Sequence, residues 1–153
     1  MRLVYNQSET VAYWVGMRIP FVGSAGFGAC KAIGVIGNDG SPLAGIVWHD
    51  YQPQFKTIAF SIAAVSPRWA TRRIIAQLLA YPFDNVGVFK LWTATPSDNV
   101  RALRMVQGLG FTREAILAHH FGQGRHAVIN RMLRPQYEKL YRAKDVPVRS
   151  AVA

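Results

Sequence analysis

The chain has 153 residues, one ordinary domain's worth, and half of them are apolar, which excludes a disordered tail or a low-complexity linker. Lys and Arg number 18 against 8 Asp and Glu, a net charge of +10 carried mainly by Arg, which points to phosphate-bearing partners: a nucleotide cofactor, a nucleic acid, or both. No apolar run approaches the roughly 20 residues of a membrane-spanning helix, and the start lacks a secretory stretch, so a cytoplasmic protein without a membrane partner is expected.

Residues 2–5 read as a short strand. Ser8-Glu9 reads as a helix start, and Val11, Trp14, Val15 and Ile19 keep an apolar stripe as far as Pro20. The Gly-rich stretch 22–29 reads as a loop. The single cysteine, Cys30, excludes an internal disulfide and reads as a small buried hydrophobe. Ala32, Ile33, Val35 and Ile36 form one apolar run, and Leu43, Ile46, Val47 and Trp48 a second. Asn38-Asp39-Gly40 between them signals a hairpin. Gln52-Pro53-Gln54 breaks the second run, and residues 57–65 form a further strand ending at Ser66-Pro67.

From Arg68 the spacing becomes helical through Ile74, Ile75, Leu78 and Leu79, and the helix is predicted to fail near Pro82. Residues 88–95 read as a strand. Pro96-Ser97-Asp98-Asn99 opens a helix, with Ser97 or Asp98 as its cap. Val100, Leu103 and Val106 give that helix its buried side, and Gly108 or Gly110 ends it. Residues 111–117 and 127–133 read as two closing strands, and 135–142 as a final short helix. The order predicts an α/β fold with a helical crossover after the fourth strand. Residues 1–142 are expected to form one domain, with 143–153 a flexible tail.

Asn99, Ala102, Leu109, Gly110, Phe111 and Glu114 form the pattern N-x-x-A … L-G-F-x-x-E. This resembles a segment of the Gcn5-related N-acetyltransferase superfamily, especially its ribosomal-protein and aminoglycoside acetyltransferase type. With the strand-Pro-Arg-helix unit upstream, the resemblance covers residues 30–133. It implies a mixed, mostly antiparallel twisted sheet of six to seven strands flanked by helices. It further implies transfer of an acetyl group from acetyl-CoA, or another acyl group from its CoA ester, to an amine. In this family the amine attacks directly in a ternary complex.

The resemblance places the cofactor at the unit following the fourth strand, beginning with Ala64 and Val65. The family holds the pyrophosphate in an Arg/Gln-x-x-Gly-x-Gly/Ala loop at a helix N-terminus, where free amides and the helix dipole bind an anion. The matching run is Arg68-Trp69-Ala70-Thr71-Arg72-Arg73, in which Thr71 and Arg73 stand where the glycines would be. Their side chains crowd the backbone's approach to phosphate, while Arg72 and Arg73 add charge. No Asp or Glu lies between Asp50 and Asp84, so this window is predicted to be electropositive. Asn99 is implied to contact the pantetheine arm or a loop beside it; by position it also reads as part of a helix cap.

The family's usual acid–base pair does not carry over. Residues 57–65 contain no carboxylate, and Val106 stands where the family has a Tyr. The alternative is His49-Asp50-Tyr51, ending the third strand and expected beside the C-terminal half of the fourth. Here His49 is the candidate base, and Tyr51 an acid or a stacking ring. The triplet also reads as a plain strand-end polar cluster, with catalysis by positioning and a water relay. His119-His120 is expected in the loop or strand leaving Glu114, and on a strand the two would face opposite ways and chelate poorly. His126 reads as surface, and no metal is expected. Trp48, Trp69 and Trp92 read as core or wall, with Trp69 alternatively lying against an adenine or a base.

Two other classes stay open. A second basic cluster, Arg131, Arg134, Lys139, Arg142, Lys144 and Arg149, keeps a nucleic-acid partner in view. A degenerate cofactor loop is compatible with a relative of the Mom DNA-modifying proteins of Mu-like phages, to which the superfamily fold is similar. The third class is a binding module that kept the fold and lost the chemistry. The acceptor is expected to be a small molecule or a protein, and a homodimer is plausible by resemblance.

Overall fold

A computed structural model describes residues 1–142; the expected tail lies outside the described residues. The chain begins with β1 (Arg2–Val4), α1 (Ser8–Gly16), β2 (Cys30–Ile36), β3 (Pro42–Gln52) and β4 (Thr57–Ala64). Then come α2 (Arg72–Ala80), β5 (Lys90–Pro96), α3 (Val100–Gly108), β6 (Thr112–Leu117), β7 (Ala127–Leu133) and α4 (Arg134–Tyr137). The strands form one sheet in the order β1-β2-β3-β4-β5-β7-β6. All neighbours are antiparallel except β4 and β5, which run parallel across the α2 crossover. This is the mixed, mostly antiparallel sheet that the resemblance implies, with the helical crossover after the fourth strand that the element order predicts.

The β2–β3 hairpin turns where Asn38-Asp39-Gly40 demands it. Asp39 Oδ1 accepts from Ser41 N at 3.0 Å and Ser41 Oγ at 2.6 Å, and Gly40 supplies φ 83°. The larger core packs α2 and the C-terminal segment on one sheet face, around Trp69, Phe83, Leu91 and Met132. Helix α1 covers β2 to β4 on the other face, burying Val15 with Ala32, Val47 and Ala63.

Gly45 lets α1 sit directly on the β3 backbone. A Cβ there would stand 2.6 Å from Val15 Cγ2 and 3.1 Å from Val11 Cγ1. Gly45→Ala is therefore expected to cost about 1–3 kcal/mol by overpacking. The check is a lower urea midpoint with an unchanged slope; an unmoved midpoint would mean that α1 is not seated as described.

Three local details differ from the sequence reading. Helix α1 starts at Ser8 as expected but stops at Gly16, short of Pro20, and its first residue does not act as a cap. Instead Ser8 Oγ bonds Ala32 N at 3.1 Å and Ala32 O at 3.3 Å, fastening the helix start to β2. Helix α2 ends at Ala80, close to Pro82 as expected; a wide turn over Tyr81–Val86 follows it, with Pro82 near its start, where the missing N–H is no loss. The cap of α3 is Asn99, not Ser97 or Asp98: Asn99 Oδ1 accepts from Ala102 N at 3.2 Å. Cys30 is only half-buried, packed beside the α1 core.

The second basic cluster faces carboxylates of its own chain. Arg131 lies 3.5 Å from Glu114, and Arg142 lies 3.5 Å from Asp84 and 3.4 Å from Glu138. Arg134 approaches the same two acids. Lys144 and Arg149 lie outside the described residues. These arginines close the C-terminal segment onto the domain, so most of the described cluster is not a surface open to nucleic acid. Among the described residues no helix is long and apolar enough to cross a membrane.

The same segment makes stability pH-dependent. Tyr137 donates to Asp84 Oδ2 at 2.6 Å, and Tyr141 donates to the Leu109 carbonyl at 2.5 Å. Burial pushes the phenols of Tyr81, Tyr137 and Tyr141 up, and Asp84 adds to the rise at Tyr137. The fold thus favours the neutral phenols. Their contribution is complete below the unfolded value near 10.0 and is lost as pH rises through the folded values. Stability is expected to decline above about pH 10, with buried-tyrosinate absorbance rising together with unfolding. Full ionisation before any loss of circular dichroism would contradict this.

Candidate active site

Strands β4 and β5 pair only at Thr57–Lys90, Ile58–Leu91 and Ala59–Trp92. Beyond that, β4 runs on to Ala64 and β5 to Pro96 without a ladder between them. The buried Thr93 hydroxyl donates to the Phe60 carbonyl at 2.9 Å, in place of the next ladder bond. Val65 N donates to the Leu43 carbonyl, so odd-numbered residues of β4 direct their backbone bonds to β3. Alternation then turns the N–H and C=O of Ile62 and Ala64 toward the side β5 has left. The sheet contains an open backbone edge at its centre.

The run after β4 is largely self-satisfied. Ser66 Oγ accepts from Arg68 N at 3.2 Å, and Thr71 Oγ1 accepts from Ile74 N at 3.3 Å. Ala70 N donates to the Pro67 carbonyl, and Thr71 N to that of Trp69. The Arg72 and Arg73 amides in the first turn of α2 are left as free donors that face outward with exposed residues. The exposed Arg68 and Arg73 guanidinia have no partner among the described residues. Arg72 is turned away: it donates to the Leu140 carbonyl and lies 5.2 Å over the Tyr141 ring.

Trp69 is 1% exposed. With Phe60, Ile62 and Leu91 it lines a small apolar void of about 20 Å³, so its ring is core and presents no face to an adenine. Ala64 and Val65 are exposed at the end of β4, and Asn99 caps α3.

His49, Asp50 and Tyr51 lie beside the N-terminal half of β4, not its C-terminal half. The antiparallel order requires this, since His49 pairs with Ala59 and Gln52 with Thr57. That register contains one extra residue on β3, a bulge at Asp50-Tyr51, and Asp50 adopts φ 53°. Bulges re-aim side chains. Here Asp50 Oδ2 comes 2.6 Å from His49 Nδ1, while His49 Nε2 lies 2.9 Å from Ser61 Oγ. The His49 side chain is 16% exposed, and Phe27 from the Gly-rich loop stacks on it at 5.3 Å. Tyr51 is exposed and takes no part in these bonds.

Ser61 was not among the residues the sequence singled out. It is diagonal to His49 on the face that α1 covers, one step past the last β4–β5 pair. The array therefore stands beside the open edge. On the same face Trp92 lines a cleft of about 260 Å³ with Lys90, Glu114, Leu117 and Ile129. Glu114 is held by Lys90 at 2.8 Å and by Arg131. The segment after α1 reaches the β6–β7 loop through Phe21 and Phe121, whose ring centres are 4.4 Å apart. His119 and His126 order that loop: Gly124 N donates to His119 Nδ1, and His119 N donates to His126 Nδ1. His119 and His120 take the loop placement of the two expected, and His126 is half-buried instead of lying on the surface.

No protein-family model matches the sequence, and no curated protein matches it. Solved structures do match. A variant of the spermidine N-acetyltransferase SpeG from Vibrio cholerae superposes with a TM-score of 0.71 at 14% identity, covering 94% of this chain and 100% of that one. Glutamine-substituted forms described as spermidine/spermine N-acetyltransferase SpeG, from the same organism, give 0.65 at 17%, covering 72% and 70%. A dodecameric structure of the Vibrio cholerae spermidine enzyme gives 0.63 at 18%, covering 76% and 71%. At such identities the likeness is one of fold. With its parallel β4–β5 pair diverging inside an otherwise antiparallel sheet, the chain has the fold of the Gcn5-related N-acetyltransferases.

Proposed function

We propose that the chain transfers an acyl group from an acyl-CoA, acetyl-CoA in the simplest case, to an amine on a small molecule or a protein. The observation that carries this reading is the open edge of β4 between two chemically different surroundings. On one side stands the N-terminus of α2 with its arginines; on the other face stands the Asp50–His49–Ser61 array.

The residues fit acyl-CoA, with one change from the family pattern. The free C=O of Ile62 and the free N–H and C=O of Ala64 match the amides of a pantetheine arm, with Val65 at the exit. The pyrophosphate meets Arg68, Arg73 and the first amides of α2. Because the Arg68, Ala70 and Thr71 amides are engaged within the loop, side-chain charge takes over part of a backbone cradle's role. Arg68→Ala with Arg73→Ala is expected to weaken CoA binding about 5- to 150-fold, or about 1–3 kcal/mol. Calorimetry with and without added salt reads this; an unchanged Kd would put the phosphates elsewhere.

The acceptor lies in the cleft beside Trp92, with its amine toward Ser61. The amine must lose a proton to attack, and His49 is the base. The family resemblance implies direct attack in a ternary complex; the Ser61–His49–Asp50 array of this chain also supports a two-step route. Among the described residues Asp39, Asp50, Asp84, Asp98, Glu114 and Glu138 each already hold a hydrogen-bond or ion-pair partner. Glu9 stands apart on α1, so among the described residues a polycation such as spermidine meets no free acidic cluster. A monoamine, or an amine that also carries negative charge, suits this basic chain better.

A further inference from the structure

We infer that Ser61 is a nucleophile that takes the acyl group before the amine does. Three observations carry the inference. First, the hydrogen bonds run in nucleophile–base–orienter order: Ser61 Oγ to His49 Nε2 at 2.9 Å, and His49 Nδ1 to Asp50 Oδ2 at 2.6 Å. A nucleophile within reach of a base that a third group orients is the signature of covalent acyl transfer, whatever the fold. Second, both ring nitrogens of His49 are thereby engaged. A substrate proton reaches the imidazole only through the Ser61 oxygen, so the group that meets the substrate is the hydroxyl. Third, the residue after Ser61 is Ile62, whose N–H faces the open edge. The amide following a nucleophilic serine is a recurrent oxyanion donor. The bulge and the left-handed Asp50 backbone that create the array are deviations of the kind that cluster at working sites.

The chemistry balances without a further reagent. Ser61 Oγ attacks the thioester carbonyl carbon while its proton passes to His49 Nε2. The C–S bond breaks, and the departing thiolate takes that proton. The amine then attacks the Ser61 ester, His49 accepts the amine proton, and the C–O bond breaks. The proton returns to Ser61 Oγ, leaving amide, free thiol and unchanged protein. Asp50 touches no substrate; it is a positioning residue that fixes the imidazole tautomer.

This inference rests on the acyl-CoA reading, and the experiment separates the two. The wild-type chain is incubated with acetyl-CoA without acceptor, and with an alkyl fluorophosphonate, which needs no CoA site. Modified peptides are mapped by mass spectrometry. The expected result is one acetyl group and, separately, one phosphonyl group on Ser61, with thiol released in a stoichiometric burst. Both adducts should be lost in His49→Ala, and acetylation should slow by about 10²-fold or more in Asp50→Asn, which tolerates the left-handed backbone. Ser61→Ala should lose acylation yet keep acetyl-CoA affinity by calorimetry. If the chain binds acetyl-CoA but Ser61 takes neither label, the nucleophile is overturned and the acyl-CoA reading stands. If Ser61 takes the phosphonate but acetyl-CoA does not bind, the nucleophile stands and the acyl-CoA reading falls. Full amine acylation by Ser61→Ala also overturns the inference. Mapping on the wild-type chain keeps the test decisive even if a variant fails to fold.

Discussion

His49→Ala is expected to lower acyl-transfer turnover by about 10²- to 10⁴-fold, the usual worth of a positioned general base. His49 is the one side chain that joins Asp50 to Ser61, so removing it breaks both bonds of the array. The fold should survive, because His49 is not part of either buried core cluster. Acyl-CoA affinity should change little, since the arginines at α2 stand away from the ring. Initial-rate measurement of thiol release with an amine acceptor checks this. A variant with wild-type kcat would remove His49 from the mechanism, and one that loses only acyl-CoA affinity would recast it as a binding residue.

Trp69→Ala is expected to cost about 3–5 kcal/mol, the range for deleting a buried aromatic. Trp69 is 1% exposed and already borders a small void, so truncation enlarges a cavity that its rigid neighbours cannot fill. The loss is a large share of a domain's usual stability and should lower Tm by roughly 10 °C or more. Thermal unfolding followed by circular dichroism reads it directly. The alternative from sequence, a ring stacked on a bound adenine or base, predicts the reverse: an unchanged Tm and a raised Kd.

The sequence disclosed elements more readily than their junctions. Alternation around Asn38-Asp39-Gly40 announces the β2–β3 hairpin. The spacing from Asn99 to Phe111 announces α3 and the strand after it. The crossover through α2 follows from a helical segment between two strands. Each of these is a local pattern, and local patterns survive in one dimension.

The site depends on register, which does not. His49 meets Ser61 because one extra residue at Asp50-Tyr51 shifts the β3–β4 ladder and because diagonal partners share a face. Strand parity alone contains the signal: two polar residues on the same buried side of a hairpin with a short turn. The open edge depends on where β5 leaves β4, marked by a Thr93 bond to a backbone carbonyl that no motif encodes. The net charge misled in the same way. Arg72, Arg131, Arg134 and Arg142 count as surplus in the composition, yet each bonds to a carbonyl or a carboxylate of its own chain. What remains for a phosphate at the cofactor loop is Arg68 and Arg73.

Calorimetric titration of the chain with acetyl-CoA bears on acyl-CoA binding itself. One site per chain is expected, with a Kd in the micromolar range that weakens as salt screens the arginines at α2. No heat of binding up to millimolar acetyl-CoA, in a chain shown to be folded, would contradict it.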